Sequence, residues 1–81
     1  MATKIPFIDL YSINDDVEIN IIEEIFNDYS IVFMVKTACV EARLVCDKVI
    51  AVEEDQLKEA KRLLIKAINN GVITGVGGFN V

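Results

Sequence analysis

Lys58, Arg62 and Lys66 stand four residues apart, and on an α-helix that spacing puts three cations on one stripe. Such a stripe could receive an acidic protein partner or an anionic ligand. Asp55 and Glu59 are also placed to neutralise it as an ordinary solvated face. A second cationic set, Lys36, Arg43 and Lys48, falls in a segment of strand-like composition. If these side chains share an open sheet face they become candidates for anion recognition, with Tyr11 able to stack on the same ligand. Cross-strand pairing with Glu41 and Asp47 is the competing use of those cations.

The other reactive side chains form no recognisable catalytic set. The chain contains no histidine, which removes the usual general base near neutral pH and the commonest metal ligand. Ser12 and Ser30 therefore lack the ordinary base that would activate a serine nucleophile. Asp9, Glu41, Asp47, Glu53 and Glu54 are the carboxylates nearest strand ends, but no spacing marks two of them as a pair with divergent acidities. Cys39 and Cys46, with six residues between them, match no zinc pattern and are expected to be small buried hydrophobes. Gly71, Gly75, Gly77 and Gly78 do not open a helix and no lysine follows them, so a bulged or edge strand is expected instead of a phosphate cradle. No metal and no cofactor is expected.

Composition narrows the partners. The 81 residues suit one domain, since two halves of about forty residues would need disulfides, metals or oligomerisation to fold. The hydrophobic fraction is 53% and the mean hydropathy +0.42, far too apolar for a solvated coil. Eight Lys and Arg against thirteen Asp and Glu leave a net charge of −5, which argues against nucleic acid as a partner. The longest apolar runs are much shorter than the roughly 20 residues that cross a bilayer. Asp9 interrupts the N-terminal segment too early for a secretory signal. A cytoplasmic protein away from membranes is expected.

The elements that must position these residues follow from periodicity. Residues 5–13 have strand composition, with Pro6 tolerated at a strand start. Val17, Ile21, Ile22, Ile25, Phe26 and Tyr29 recur at helical offsets over residues 15–29. With Ile19 they cover an arc of about 200°, wider than one sheet face needs. Residues 31–37 and 42–52 read as strands, with the turn near Cys39, Val40 and Glu41 or alternatively at Asp47 and Lys48. Leu57, Ala60, Leu63, Leu64, Ala67 and Ile68 define a second helix, stopped by Asn69, Asn70 and Gly71. Residues 72–81 read as a last strand.

This order, βαββαβ, predicts an α+β, ferredoxin-like domain: a four-stranded antiparallel sheet with both helices on one face. The other sheet face must meet water, a ligand or another subunit. Ile31, Phe33 and Val35 form one apolar set of the 31–37 strand, expected to be a central strand of the sheet, while Val32 and Met34 form the alternate set. A strand apolar on both faces is usually buried on both. Val32 and Met34 are therefore expected at an interface, making the protein a homo-oligomer or the holder of an obligate partner.

One stretch also resembles a known family. The chain reads Ile13-Asn14-Asp15-Asp16-Val17, later Ile31-Val32-Phe33-Met34-Val35, then Val49-Ile50-Ala51-Val52-Glu53-Glu54-Asp55, closing on Ala60, Leu63 and Leu64. This is similar to small prokaryotic signal-transducing domains of unknown function. In those an acidic turn leads a helix, a strand pair follows, and an acidic residue after a valine starts an Ala-x-x-Leu-Leu helix. The usual proline near Val52 is missing here, and the glycine-rich tail is not characteristic of that family. The resemblance covers about residues 13–64 and implies regulation, with no catalytic residues to carry over. The same topology hosts amino-acid-binding sensor domains of the ACT type, an analogy at the level of fold alone.

Together these readings predict a non-enzymatic regulatory or binding module. It self-associates through its sheet and senses or sequesters a small, anionic ligand at Lys36, Arg43, Lys48 and Tyr11, with Lys58, Arg62 and Lys66 facing a partner. A small inhibitor of the phage or mobile-element type, docking on a protein target, is one alternative. Another is a small oligomeric enzyme that draws its acid or base from Tyr11, Asp9, Glu41 or Lys36 at a subunit interface.

Overall fold

The computed structural model describes residues 5–40 and 45–81. It has strand β1 (Phe7–Ile13), helix α1 (Asp16–Asp28), strands β2 (Phe33–Val40) and β3 (Val45–Glu53), helix α2 (Leu57–Asn69) and the short strand β4 (Gly78–Phe79). The sheet order is β2-β3-β1-β4 with every pairing antiparallel. This is the ferredoxin-like arrangement expected from the element order. Because α1 follows β1 and α2 follows the oppositely directed β3, the two helices run antiparallel on their common face.

Local chemistry explains the element ends. Asp15 caps α1, its carboxylate accepting from the backbone N–H groups of Val17 at 2.9 Å and Glu18 at 3.3 Å. The helix stops where Ser30 turns left-handed at φ 57° and the Ile31 N–H returns to the Phe26 carbonyl. A 3₁₀ turn, Glu54–Gln56, leads into α2. Gln56 ties this entry to the start of β2: its Oε1 accepts from the Val32 N–H at 2.7 Å, and its Nε2 donates to the Ser30 carbonyl at 3.1 Å. Gly71, at φ 74°, closes α2, and the Val72 N–H reaches back to the Ala67 carbonyl.

The core lies between the helices and one sheet face. Ile19, Ile22 and Phe26 of α1 and Ala60, Leu63, Leu64 and Ala67 of α2 bury against Leu10, Tyr11, Ile13, Ile50 and Val52. Phe33 and Val35 close it from β2. A β-bulge places Leu10 as the extra residue, since Asp9 pairs with Ala51 while Tyr11 pairs with Ile50. Both Leu10 and Tyr11 thereby enter the core.

Four expectations change. The strand expected over residues 72–81 shrinks to Gly78–Phe79, because Ile73 plugs the core, Thr74 is taken by Glu18 and Gly75 turns at φ 76°. Strand β2 lies at the sheet edge, and the central strands are β3 and β1. Asp47 and Lys48 belong to β3, so the alternative turn there does not hold; of the other position, Cys39 and Val40 are the last residues of β2 and Glu41 is outside the described residues. Finally, Cys39 and Cys46 are not small buried hydrophobes. They face each other in register with Cα atoms 4.0 Å apart, are exposed, and form a disulfide.

Candidate functional site

The four residues expected to hold an anion do not converge. Lys36 lies on the face away from the helices, its Nζ 2.6 Å from the Asp9 carboxylate across β3. Lys48 pairs in register with the buried Ile13, so it sits on the helix side. There it meets Asp16 of α1 at 2.5 Å. Both cations thus find acids, though not the Asp47 that strand pairing implied; Glu41 is outside the described residues. Arg43 is outside the described residues. Tyr11 is fully buried, its hydroxyl accepting from the Gly77 N–H at 3.1 Å and its ring packing edge-on against Phe79. Burial pushes the Tyr11 phenol above its ordinary acidity range, so it stays protonated and is closed to stacking on a ligand.

Glu18 was not singled out by spacing, yet it is a structural key. It is the one buried charged residue among those described, at 6% exposure. Its carboxylate accepts from the Thr74 N–H at 3.0 Å and from the Thr74 hydroxyl. These bonds repay the desolvation of the carboxylate and pin the segment after α2 onto α1. The signal was present in its position, four residues before the buried Ile22 on the apolar side of the helix.

Two surfaces have features beyond ordinary solvation. The first is the open sheet face. Phe7, Val32 and Met34 present apolar side chains that are 38%, 47% and 43% exposed. Half-buried Val49 and fully buried Ala51 lie beside them on β3. The Lys36–Asp9 pair crosses this patch, and Asn80 donates to the Ser12 hydroxyl at its β4 end. The placement of Val32 and Met34 opposite the core agrees with the alternation read from the sequence.

The second is the outward side of α2. Lys58, Lys61, Arg62 and Ile65 line a shallow apolar depression of about 400 Å³. Its walls are aliphatic lysine stems and its rim is cationic. Arg62 forks onto Glu59, with Nη2–Oε1 at 2.5 Å and Nε–Oε2 at 3.1 Å. That hydrogen-bonded pairing lowers the pKa of Glu59 and raises that of Arg62. Lys61 stands 5.7 Å above the Phe79 ring. Among the described residues, Lys58 and Lys66 have no carboxylate within ion-pair distance. Arg62 therefore has one partner of the expected kind, and the rest of the stripe remains open.

No helix among the described residues is long and apolar enough to cross a membrane. No group of three metal-ligating side chains occurs among them. No protein-family model, no curated protein and no solved structure matches the chain.

Proposed function

We infer that this chain is a non-enzymatic binding module that self-associates through the open face of its sheet. The observation that carries this reading is the apolar patch of Phe7, Val32 and Met34 on a face that the helices leave uncovered. The sheet edges point the same way. Strand β2 places Lys36 in its middle, and β4 has only two residues, both of which discourage edge-to-edge pairing. Association is thereby directed to the face. The Lys36–Asp9 pair beside the patch also suits a two-fold contact, in which each copy offers one cation and one anion to the other.

The regulatory character of the module rests on the resemblance to small signal-transducing domains. A sensed anion would bind away from the dispersed Lys36, Lys48 and Tyr11. The compartment is linked to the disulfide: a reducing cytoplasm keeps Cys39 and Cys46 as thiols, whereas an oxidising compartment keeps them bridged.

Met34→Asp tests the reading. It puts a charge in the apolar patch without touching the core, so in high salt the variant should retain its circular dichroism and lose its self-association. A variant of unchanged mass in solution would remove the sheet face from consideration. A one-to-one complex with a different protein in place of a homo-oligomer would favour the inhibitor alternative.

A further inference from the structure

The helical layer is divided by charge. Helix α1 contains Asp16, Glu18, Glu23, Glu24 and Asp28 and no basic residue. Helix α2 contains Lys58, Lys61, Arg62 and Lys66 against the single acid Glu59, and so holds half of the chain's eight cations. The helices lie side by side, yet among the described residues no ion pair joins them. Glu24 and Asp28 are exposed on α1, as Lys58 and Lys66 are on α2. Between the helices runs a groove with an apolar floor of Ile25, Tyr29, Leu63, Ala67 and Val72, edged by Lys66 of the basic stripe and by Asn70. Tyr29 and Val72 in the groove are 56% and 51% exposed, and Ile65, on the outward side of α2 with Lys58 and Arg62, is 42% exposed.

We propose that this layer is a second self-association surface, in which the basic stripe of α2 receives the acidic stripe of α1 from another copy of the same chain. A two-fold axis parallel to the helices satisfies both halves at once. It sets α1 of each copy over α2 of the other, antiparallel, with acid facing base twice. Tyr29, Ile65 and Val72 then fill the centre. A small anion would use the cations of α2 but leave the acids of α1 unexplained; a second copy uses both. The inference is independent of the sheet-face contact. Where both operate, one subunit joins neighbours through opposite faces, and the assembly grows by stacking.

Sedimentation velocity of the full chain tests this. Raising NaCl from about 20 mM to about 500 mM shortens the screening length from roughly 20 Å to roughly 4 Å. The helix-layer contact should weaken by about tenfold or more. The net charge of −5 works in the opposite direction: repulsion between whole molecules would make association stronger in high salt, so the sign of the salt effect is decisive. Two charge-reversed variants complete the test. Lys58→Glu/Lys66→Glu has two acidic stripes and Glu24→Lys/Asp28→Lys has two basic ones, so each should lose the salt-sensitive species alone. Their mixture should restore it as a heterodimer. A mixture that forms nothing new overturns the proposal. So does salt-independent association, or pyrophosphate binding that depends on Lys58 and Lys66 without any salt-sensitive oligomer. Met34→Asp separates the two surfaces, since it should remove only the contact that persists in high salt.

Discussion

Gly77 has no room for a side chain: a Cβ there would stand 2.5 Å from the Ser12 carbonyl oxygen and 2.7 Å from the Tyr11 ring. The glycine lets the C-terminal segment close over Tyr11 and present its N–H to the phenol. Gly77→Ala is expected to cost about 2 kcal/mol, because a backbone atom and a buried ring must both shift. Thermal melting should record a drop of about 10 °C for a chain of this size. An unchanged melting temperature would mean that the segment is not held against Tyr11. The same phenol sets a pH dependence. Burial raises its pKa above the ordinary phenol value of 10.0. Its contribution to stability is therefore complete below about pH 10, the unfolded value. It is lost as pH rises through the higher folded value. Absorbance at the phenolate wavelength should show one tyrosine ionising late, together with unfolding. At this scale the sequence was only partly legible. Tyr11 is recognisable as a residue for an apolar boundary, but its burial depends on a β-bulge and on a glycine 66 positions later. Neither leaves a periodic trace.

Strands and helices were easier to read than their partners. Helix α2 has a single apolar arc and strong stop residues, and it ends at Asn69 as those residues imply. Helix α1 was given a wider apolar arc than one sheet face requires. The structure resolves the excess by leaving Val17 at 68% and Tyr29 at 56% exposure. The last strand was overread because Val72, Ile73 and Val76 have β composition, whereas the local path is set by Glu18 and by Gly75. The cysteines differ from expectation for a related reason. Their separation fits a buried pair or a cross-strand pair equally, and only register decides. Register places Cys39 opposite Cys46, one pair from the end of the ladder where the chain passes from β2 to β3. The bridge closes a short loop, so reduction is expected to destabilise the chain by about 2 kcal/mol. Cys39→Ser should melt at the same temperature as the reduced protein. Strong hydrogen exchange in β2 and β3 should then appear first at their distal ends. If reduction leaves melting unchanged, the disulfide does not contribute to folding.

For the whole molecule, burial is uneven in a way that the fold explains. Two helices can cover one sheet face, and the core fills the space between those layers. The other face keeps Phe7, Val32 and Met34 in water, next to an ion pair that spans three strands. Alternation in the 31–35 segment was enough to anticipate which side chains those would be on β2. The contribution of Phe7 emerged only with the β1–β3 register. Removing three partly exposed apolar side chains from water yields several kcal/mol at about 25 cal/mol per Å² of buried area. Association must exceed its own entropic cost to be seen. Val32→Asp, at the margin of the patch, should weaken self-association less than Met34→Asp at its centre. Equal effects would point to unfolding of β2 as the common cause. The most direct measurement is native mass spectrometry of the wild-type chain and Met34→Asp side by side, in high salt to suppress the charged helical surface. A discrete wild-type oligomer and a folded, monomeric variant are the expected result. A wild-type monomer, or a variant with the same oligomeric mass as the wild type, would contradict self-association through the open face of the sheet.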